Sequence, residues 1–214
     1  MTSRLRSVRA LPRSFYERPT LDVARELLGK VLVRRKAEGL ASGMIVETEA
    51  YIGEADPACH AAPGPTRRNE PLYGEPGYAY VYFNYGMHWL FNVVTERRGF
   101  PAAVLVRALE PIDGEALMRR RRTSAARRAI SSHDLCRGPG NLARALGIGA
   151  AENRADLTRA ACPRSAGLWI ENRGLKIDHV MWTPRVGIRV GTEHAWRCIA
   201  SASPAVSGGR RVDR

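Results

Sequence analysis

Lysine is almost missing from this sequence. Of 34 basic residues in 214, only Lys30, Lys36 and Lys176 are lysines. Arginine therefore carries the net charge of +13 and the pI near 10.4. A genome rich in G and C raises the arginine-to-lysine ratio, but not the excess of base over acid. A polyanionic partner, nucleic acid, is the natural inference. Cysteine is also scarce and scattered: Cys59, Cys136, Cys162 and Cys198 form no C-x-x-C, and no histidine falls at zinc spacing around them. That excludes a disulfide framework and leaves no metal site to assign; free thiols in a reducing cytoplasm are expected. A Cys59 nucleophile beside His60 is the sharper alternative, but neighbours on an extended chain point to opposite sides. No apolar run is long enough to span a membrane. The opening "MTSRLRSVRALPRSF" has no apolar core segment of a secretory signal. A transit peptide would tolerate it, and a flexible basic arm over residues 1–13 fits better.

Repeats and low-complexity segments are absent too. What remains is ordinary for one domain: 44% hydrophobic residues and a length suited to a single core. "TLDVARELLGKVLVRR" predicts a short helix from Thr20, stopped near Gly29, and then a strand. "GMIVETEAYIG" predicts a strand and "GEADPACHAAPGPTRRNEP" a loop. "YAYVYFNY" and "WLFNVVT" predict a hairpin about Gly86-Met87. "PAAVLVRALEP" predicts a strand closed by Pro111. A helix then gives way to a basic, mobile loop, Arg119 to Arg128 and on to residue 131. "GPGNLARALGI" predicts a helix, while "GLWIEN", "PRVGIRV" and "WRCIAS" predict short strands. Residues 208–214 are expected to be a flexible tail. The pattern implies a single-domain α+β fold over residues 14–207, with a mixed or antiparallel sheet flanked by helices.

Two segments carry chemistry. In "VETEAY" a strand places Glu47, Glu49 and Tyr51 on one face and Thr48 and Ala50 on the other. Such a carboxylate can activate a water or a nucleophile, and a solvent-facing edge is the plainer alternative. Spacing does not choose between Glu47 and Glu49. The second segment, Tyr73 to Asn92, holds five of the seven tyrosines, two of the four phenylalanines and one of the four tryptophans. Tyr78, Tyr80 and Tyr82 share a face, and Tyr85 falls at the turn. Aromatics suit any sheet, but buried phenols each need a partner. On a basic protein they have another use: bases stack on them for roughly 1–3 kcal/mol each, and an aromatic at a turn tip can wedge into a duplex.

The segments "VETEAYIGEADPACHA", "TRRNEPLYGEPGYAYVYFNYGMHWLFNVVT", "AAVLVRALEP", "LCRGPGNLARALGI" and "ASASPAVS" occur in an order that resembles the alkyladenine (3-methyladenine) DNA glycosylases of the mammalian type. The resemblance runs from about residue 14 to 207. It implies a monofunctional enzyme without cofactor that flips an alkylated purine out of duplex DNA. An activated water then hydrolyses the N-glycosidic bond and leaves an abasic site. It implies that Glu49 is the general base and that Arg107 holds the water and the adjoining phosphate. Tyr51, His60 and Tyr82 resemble the pocket walls. Asn92 resembles the residue that excludes guanine's amino group. Tyr85 resembles the wedge, with Arg68 and Arg107 as further DNA contacts. A backbone carbonyl near "RVGI" also holds the water in the family. The substrates implied are 3-methyladenine and 7-methylguanine, with hypoxanthine and ethenoadenine left open. His88 and Ala205 depart from the family, where another aromatic and a tryptophan are common. The implied partner is damaged double-stranded DNA; a monomer in the bacterial cytoplasm, at the nucleoid, is expected, with no membrane partner. The alternative function is a non-catalytic nucleic-acid-binding module.

Overall fold

One long strand organises the rest. In the computed structural model, which describes residues 10–84, 86–123, 130–162 and 165–208, β2 runs from Gly39 to Ile52. It pairs along its length with β5 (Ala102–Asp113). On its other side it is shared. Its first half pairs with β1 (Val31–Lys36), and Glu47 to Glu49 pair with β8 (Arg197–Ala200). Register shifts flank Glu47 on both sides. Such bulges bend a strand and re-aim its side chains, here where the sheet changes partner. Glu47 and Glu49 are therefore interior, fully buried, and not on a solvent edge.

Outward from β5 lie β4 (His88–Val94) and β3 (Ala79–Asn84), a hairpin, and outward from β1 lies β6 (Gly167–Glu171). β7 (Val180–Thr183) pairs with β8. Every ladder among these eight strands is antiparallel, which settles the mixed-or-antiparallel expectation. The α+β, single-domain expectation stands.

The two-residue period of a strand sorts the sheet into a core face and a site face. Val81, Phe91, Val93, Val104, Val106 and Ala50 enter the main core. The intervening Tyr80, Tyr82, Leu90, Asn92, Ala103, Leu105, Arg107 and Tyr51 line a cavity. Helices cover the core face: α1 (Arg13–Tyr16), α2 (Thr20–Leu27), α3 (Glu115–Arg122) and α4 (Pro139–Leu146). α2 buries Val23, Ala24 and Leu27, and Thr48 Oγ1 donates to Ala24 O at 2.9 Å. α2 lacks a cap of its own, since Pro19 precedes it. The Glu96 carboxylate caps it instead, accepting from Thr20 N at 3.2 Å and Thr20 Oγ1 at 2.6 Å.

Several expectations are corrected. Arg119 to Arg122 belong to α3, not to a loop; Arg121 donates to Ala145 O at 3.0 Å and Arg122 to Leu135 O at 2.5 Å. Residues 124–129 of that expected loop lie outside the described residues. "PRVGIRV" is not a strand: Gly187 and Gly191 take φ of +80° and +64°, and the segment turns over the site. β7 was not foreseen. β5 continues through Pro111, opposite Gly43 at a register shift, where a missing N–H is tolerated. Tyr78 precedes β3 and lies against Arg13, whose guanidinium is 5.0 Å from its ring. The body begins before residue 14: Leu11 N donates to Ile170 O at 2.8 Å. Residues 1–9 and 209–214 lie outside the described residues.

Candidate active site

The cavity on the site face has a volume of about 740 Å³. Four sources build it. β2, β3, β4 and β5 supply the floor. The loop after β2 supplies Ala58, Cys59 and His60. The start of α4 supplies Gly138 to Asn141. The segment after β7 supplies Val186 to Val190. The family resemblance had brought the "RVGI" segment to the site, while the contribution of α4 was not foreseen; its glycine- and proline-rich opening was the signal for it.

His60 and Tyr82 touch, with ring centroids 4.3 Å apart and planes at 65°, and Tyr80 lies 5.3 Å behind Tyr82. His60 Nδ1 is 2.9 Å from the Tyr80 hydroxyl. Burial, and secondarily Arg68, push the His60 pKa below its ordinary 6.5 and so favour the neutral imidazole. Burial raises the Tyr80 hydroxyl to about 12. Asn92 Nδ2 donates to Tyr80 O at 3.1 Å, which fixes its amide in the floor. Cys59 is buried and its thiol is pushed up to about 11, chiefly by burial. A thiol so protonated is a poor nucleophile, which counts against the Cys59 alternative.

Behind this chamber sit the two carboxylates, joined by Arg107. Arg107 Nε donates to Glu47 Oε1 at 2.8 Å and Arg107 Nη1 to Glu49 Oε2 at 3.1 Å. Burial opposes the Arg107 charge, but Glu49 and Glu47 outweigh it and raise its pKa. The carboxylates differ in what else they accept. Glu47 takes Arg197 Nε at 2.7 Å, Ser207 Oγ at 2.8 Å and Ser207 N at 2.6 Å, four donors in all with Arg107. Three of the four fall on Oε1 and only Ser207 N on Oε2, and of these donor residues only Arg107 lines the cavity. Glu49 takes three: Arg107 and the Tyr51 hydroxyl (2.9 Å) on Oε2, and Val186 N (2.7 Å) on Oε1. Its Oε1 retains a lone pair. Glu49 does not itself line the cavity; Tyr51, Arg107 and Val186, its three partners, do.

The remaining sequence candidates separate. Arg68 is exposed and donates to Phe83 O at 3.1 Å on the β3–β4 hairpin. Tyr85, between Asn84 and Gly86 in sequence, lies outside the described residues. His88 lines the cavity mouth, packed so closely on α4 that a Cβ at Gly140 would meet it at 2.8 Å. Ala205 is buried beside Val46, Ala108 and Ala200.

The site is thus an aromatic-lined cavity on an antiparallel sheet, with a buried cluster of two carboxylates and an arginine behind it. The sequence comparisons give its family. The family model described as Methylpurine-DNA glycosylase (MPG) matches residues 14–204. A Methanocella arvoryzae protein is 48% identical over 200 residues, spanning 92% of this chain and 95% of its own. A Chlorobaculum parvum protein is 44% identical over 202 residues, 94% of this chain and 91% of its own. A Rubrobacter xylanophilus protein is 46% identical over 187 residues, 87% and 92% respectively. All three bear the name "Putative 3-methyladenine DNA glycosylase". The chain belongs to the methylpurine-DNA glycosylase family. It is a DNA glycosylase, a hydrolase of DNA repair. Among the described residues no helix is long and apolar enough to cross a membrane.

Proposed function

We propose that this enzyme excises 3-methyladenine and 7-methylguanine from duplex DNA by base flipping and monofunctional hydrolysis, with Glu49 as general base. One observation carries the reading: Glu49 is buried directly behind the cavity with Oε1 still able to accept a proton. All three partners of Glu49 line the cavity, whereas Glu47 is held on its far side by Arg197 and Ser207 and suits a different task, fixing Arg107.

Flipping a base costs a few kcal/mol of stacking and pairing. Contact with Tyr51 and with the His60–Tyr82 wall offsets part of this, at about 1–3 kcal/mol per stacked base. A neutral His60 leaves the chamber without a repelling cation. Its π faces then favour a cationic alkylpurine by roughly 0.5–2 kcal/mol. The alkylated base is already a good leaving group. The residues need only hold a water at Glu49 Oε1, take its proton as the water attacks the sugar C1′, and stabilise the oxocarbenium-like sugar with negative charge. Glu49 serves both needs. Arg107 holds Glu49 and faces the cavity, where a phosphate or the water can meet it. Asn92, fixed in the floor, crowds guanine's exocyclic amino group; 7-methylguanine keeps that group and offsets the crowding through its positive charge and better leaving-group character. Arg68 and the Tyr85 wedge grip the duplex. Hypoxanthine and ethenoadenine need leaving-group activation that these residues do not supply. They are expected to be released more slowly than methylpurines.

The test is single-turnover excision from methylated duplex DNA by wild type and Glu49→Gln, each read with and without alkali. Release by wild type, strand breaks only after alkali and near-complete loss in Glu49→Gln are expected. Unchanged release in the mutant rejects the general-base role. DNA binding without any release by wild type favours a binding module. Tyr85→Ala should weaken lesion capture more than plain duplex binding; equal losses reject the wedge.

A further inference from the structure

Arg185 precedes the residue whose N–H meets Glu49, yet it turns away from the cavity into the interior, where its side chain is fully buried. Its guanidinium makes a two-pronged pair with Asp56: Nη1 to Oδ2 at 2.6 Å and Nη2 to Oδ1 at 2.8 Å. Nη1 also donates to Ala50 O at 3.1 Å, and Nη2 to Gly191 O at 3.2 Å. One face of the cation lies 4.7 Å from the centre of the Tyr51 ring. The Trp196 ring lies 5.1 Å from the cation, and His194 stacks on that ring at 4.1 Å. Asp56 accepts in turn from Ala58 N at 3.1 Å and Ile52 N at 3.3 Å, and so shapes the loop that leads to His60. Gly191 leaves room for this arrangement: a Cβ there would stand 2.9 Å from Arg185 Nη2.

Three parts of the site thus converge on one ion pair. They are the loop of His60, the ring of Tyr51 and the segment that donates Val186 N–H to Glu49. We propose that the Arg185–Asp56 pair is a positioning device for excision, holding Val186 N–H on Glu49 and backing the Tyr51 ring at the same time. The proposal rests on Glu49 being the general base. Arg185 touches neither base nor water; it acts through Val186 and Tyr51. A bidentate fork stacked on rings has no equivalent in lysine, whose ammonium is a point charge.

Arg185→Lys and Asp56→Asn are compared with wild type by two measurements. One is single-turnover release of methylpurines from methylated duplex DNA. The other is the Kd for a duplex carrying a tetrahydrofuran abasic analogue, which offers no base to the chamber. Release is expected to fall about 100-fold, the scale of a 1 Å misplacement. Kd should stay within about threefold, because phosphate contacts are untouched. Release within about threefold of wild type, or release and binding falling by the same factor, overturns the proposal. Should neither variant fold, Trp196→Leu decides. It removes one ring and keeps the ion pair, so release should slow about fivefold with Kd unchanged; unchanged release overturns the proposal. Glu49→Gln is run alongside. If that variant still releases base, the general-base reading fails. If it is dead while Arg185→Lys is unimpaired, only the positioning role fails.

Discussion

A buried charge is costly unless it is paired and hydrogen-bonded, and Glu47 takes four donors, two of them arginine N–H groups. Breaking a buried ion pair by removing one partner typically costs about 3–5 kcal/mol. Glu47→Gln would leave Arg107 and Arg197 without that anion. A melting point lower by roughly 6–20 °C is expected for a chain of this size. A thermal melt within about a degree of wild type would show that the two arginines find other partners. Asp56 makes the complementary case through pH. Burial pushes its carboxyl up, but the Arg185 hydrogen bonds and the N–H groups of Ala58 and Ile52 outweigh that and hold its pKa below the ordinary 3.8. A depressed acid stabilises the fold above its unfolded pKa, and the contribution is lost as pH falls through the folded pKa. Wild type should therefore lose urea resistance below about pH 4. Asp56→Asn should show a weaker acid dependence there, and parallel curves would refute the linkage.

Element by element, legibility followed the distance over which a feature is decided. The hairpin of β3 and β4 and the helices α2 and α4 could be read because turn residues and the period of apolar side chains are local. Alternation also placed Tyr80 and Tyr82 on one face. Tyr78 escaped because a strand's start depends on its partner. "PRVGIRV" has the composition of a strand, but its arginine is held by Asp56, 129 residues away along the chain. The choice between Glu47 and Glu49 was illegible for the same reason. Their donors, Val186, Arg197 and Ser207, lie 137 to 160 positions further on. The family resemblance named Glu49 where spacing did not. The cap on α2 is another remote device. Glu96, at φ 63°, holds a left-handed backbone to reach Thr20. Glu96→Ala loses the cap and keeps the strain, at about 0.5–2 kcal/mol. Glu96→Gly loses the cap but relaxes the backbone, and should be more stable than Glu96→Ala by roughly 1 kcal/mol. Equal melts for the two would mean that the strain is negligible.

For the whole molecule the net charge of +13 is the dominant property. Each phosphate neutralised releases counterions, so the affinity for duplex DNA should fall steeply and linearly on logarithmic axes as salt rises. Arg68 is exposed beside the β3–β4 hairpin. Arg68→Ala should weaken binding to all sequences alike and reduce the slope by about 1. A slope unchanged from wild type would remove Arg68 from the interface, and a flat wild-type profile would reject the electrostatic account.

The shared strand β2 also dictates when in the molecule's life the site exists. Glu47 and Glu49 are made early in synthesis. Arg107 follows after about sixty residues, and Arg197 and Ser207 stand 150 and 160 positions from Glu47. Contacts of such span close late, because loop entropy is spent before they form. On the ribosome, where domains emerge from the N-terminal end, β1, β2 and β5 can pair while the two glutamates still lack part of their retinue. Arg107 on β5 can pair with both carboxylates by then, but Glu47 still lacks Arg197 and Ser207. Burying it short of those donors is costly, so that wing of the sheet closes fully only when β8 arrives. Completing the carboxylate–arginine cluster and closing the sheet with β8 thus depend on each other.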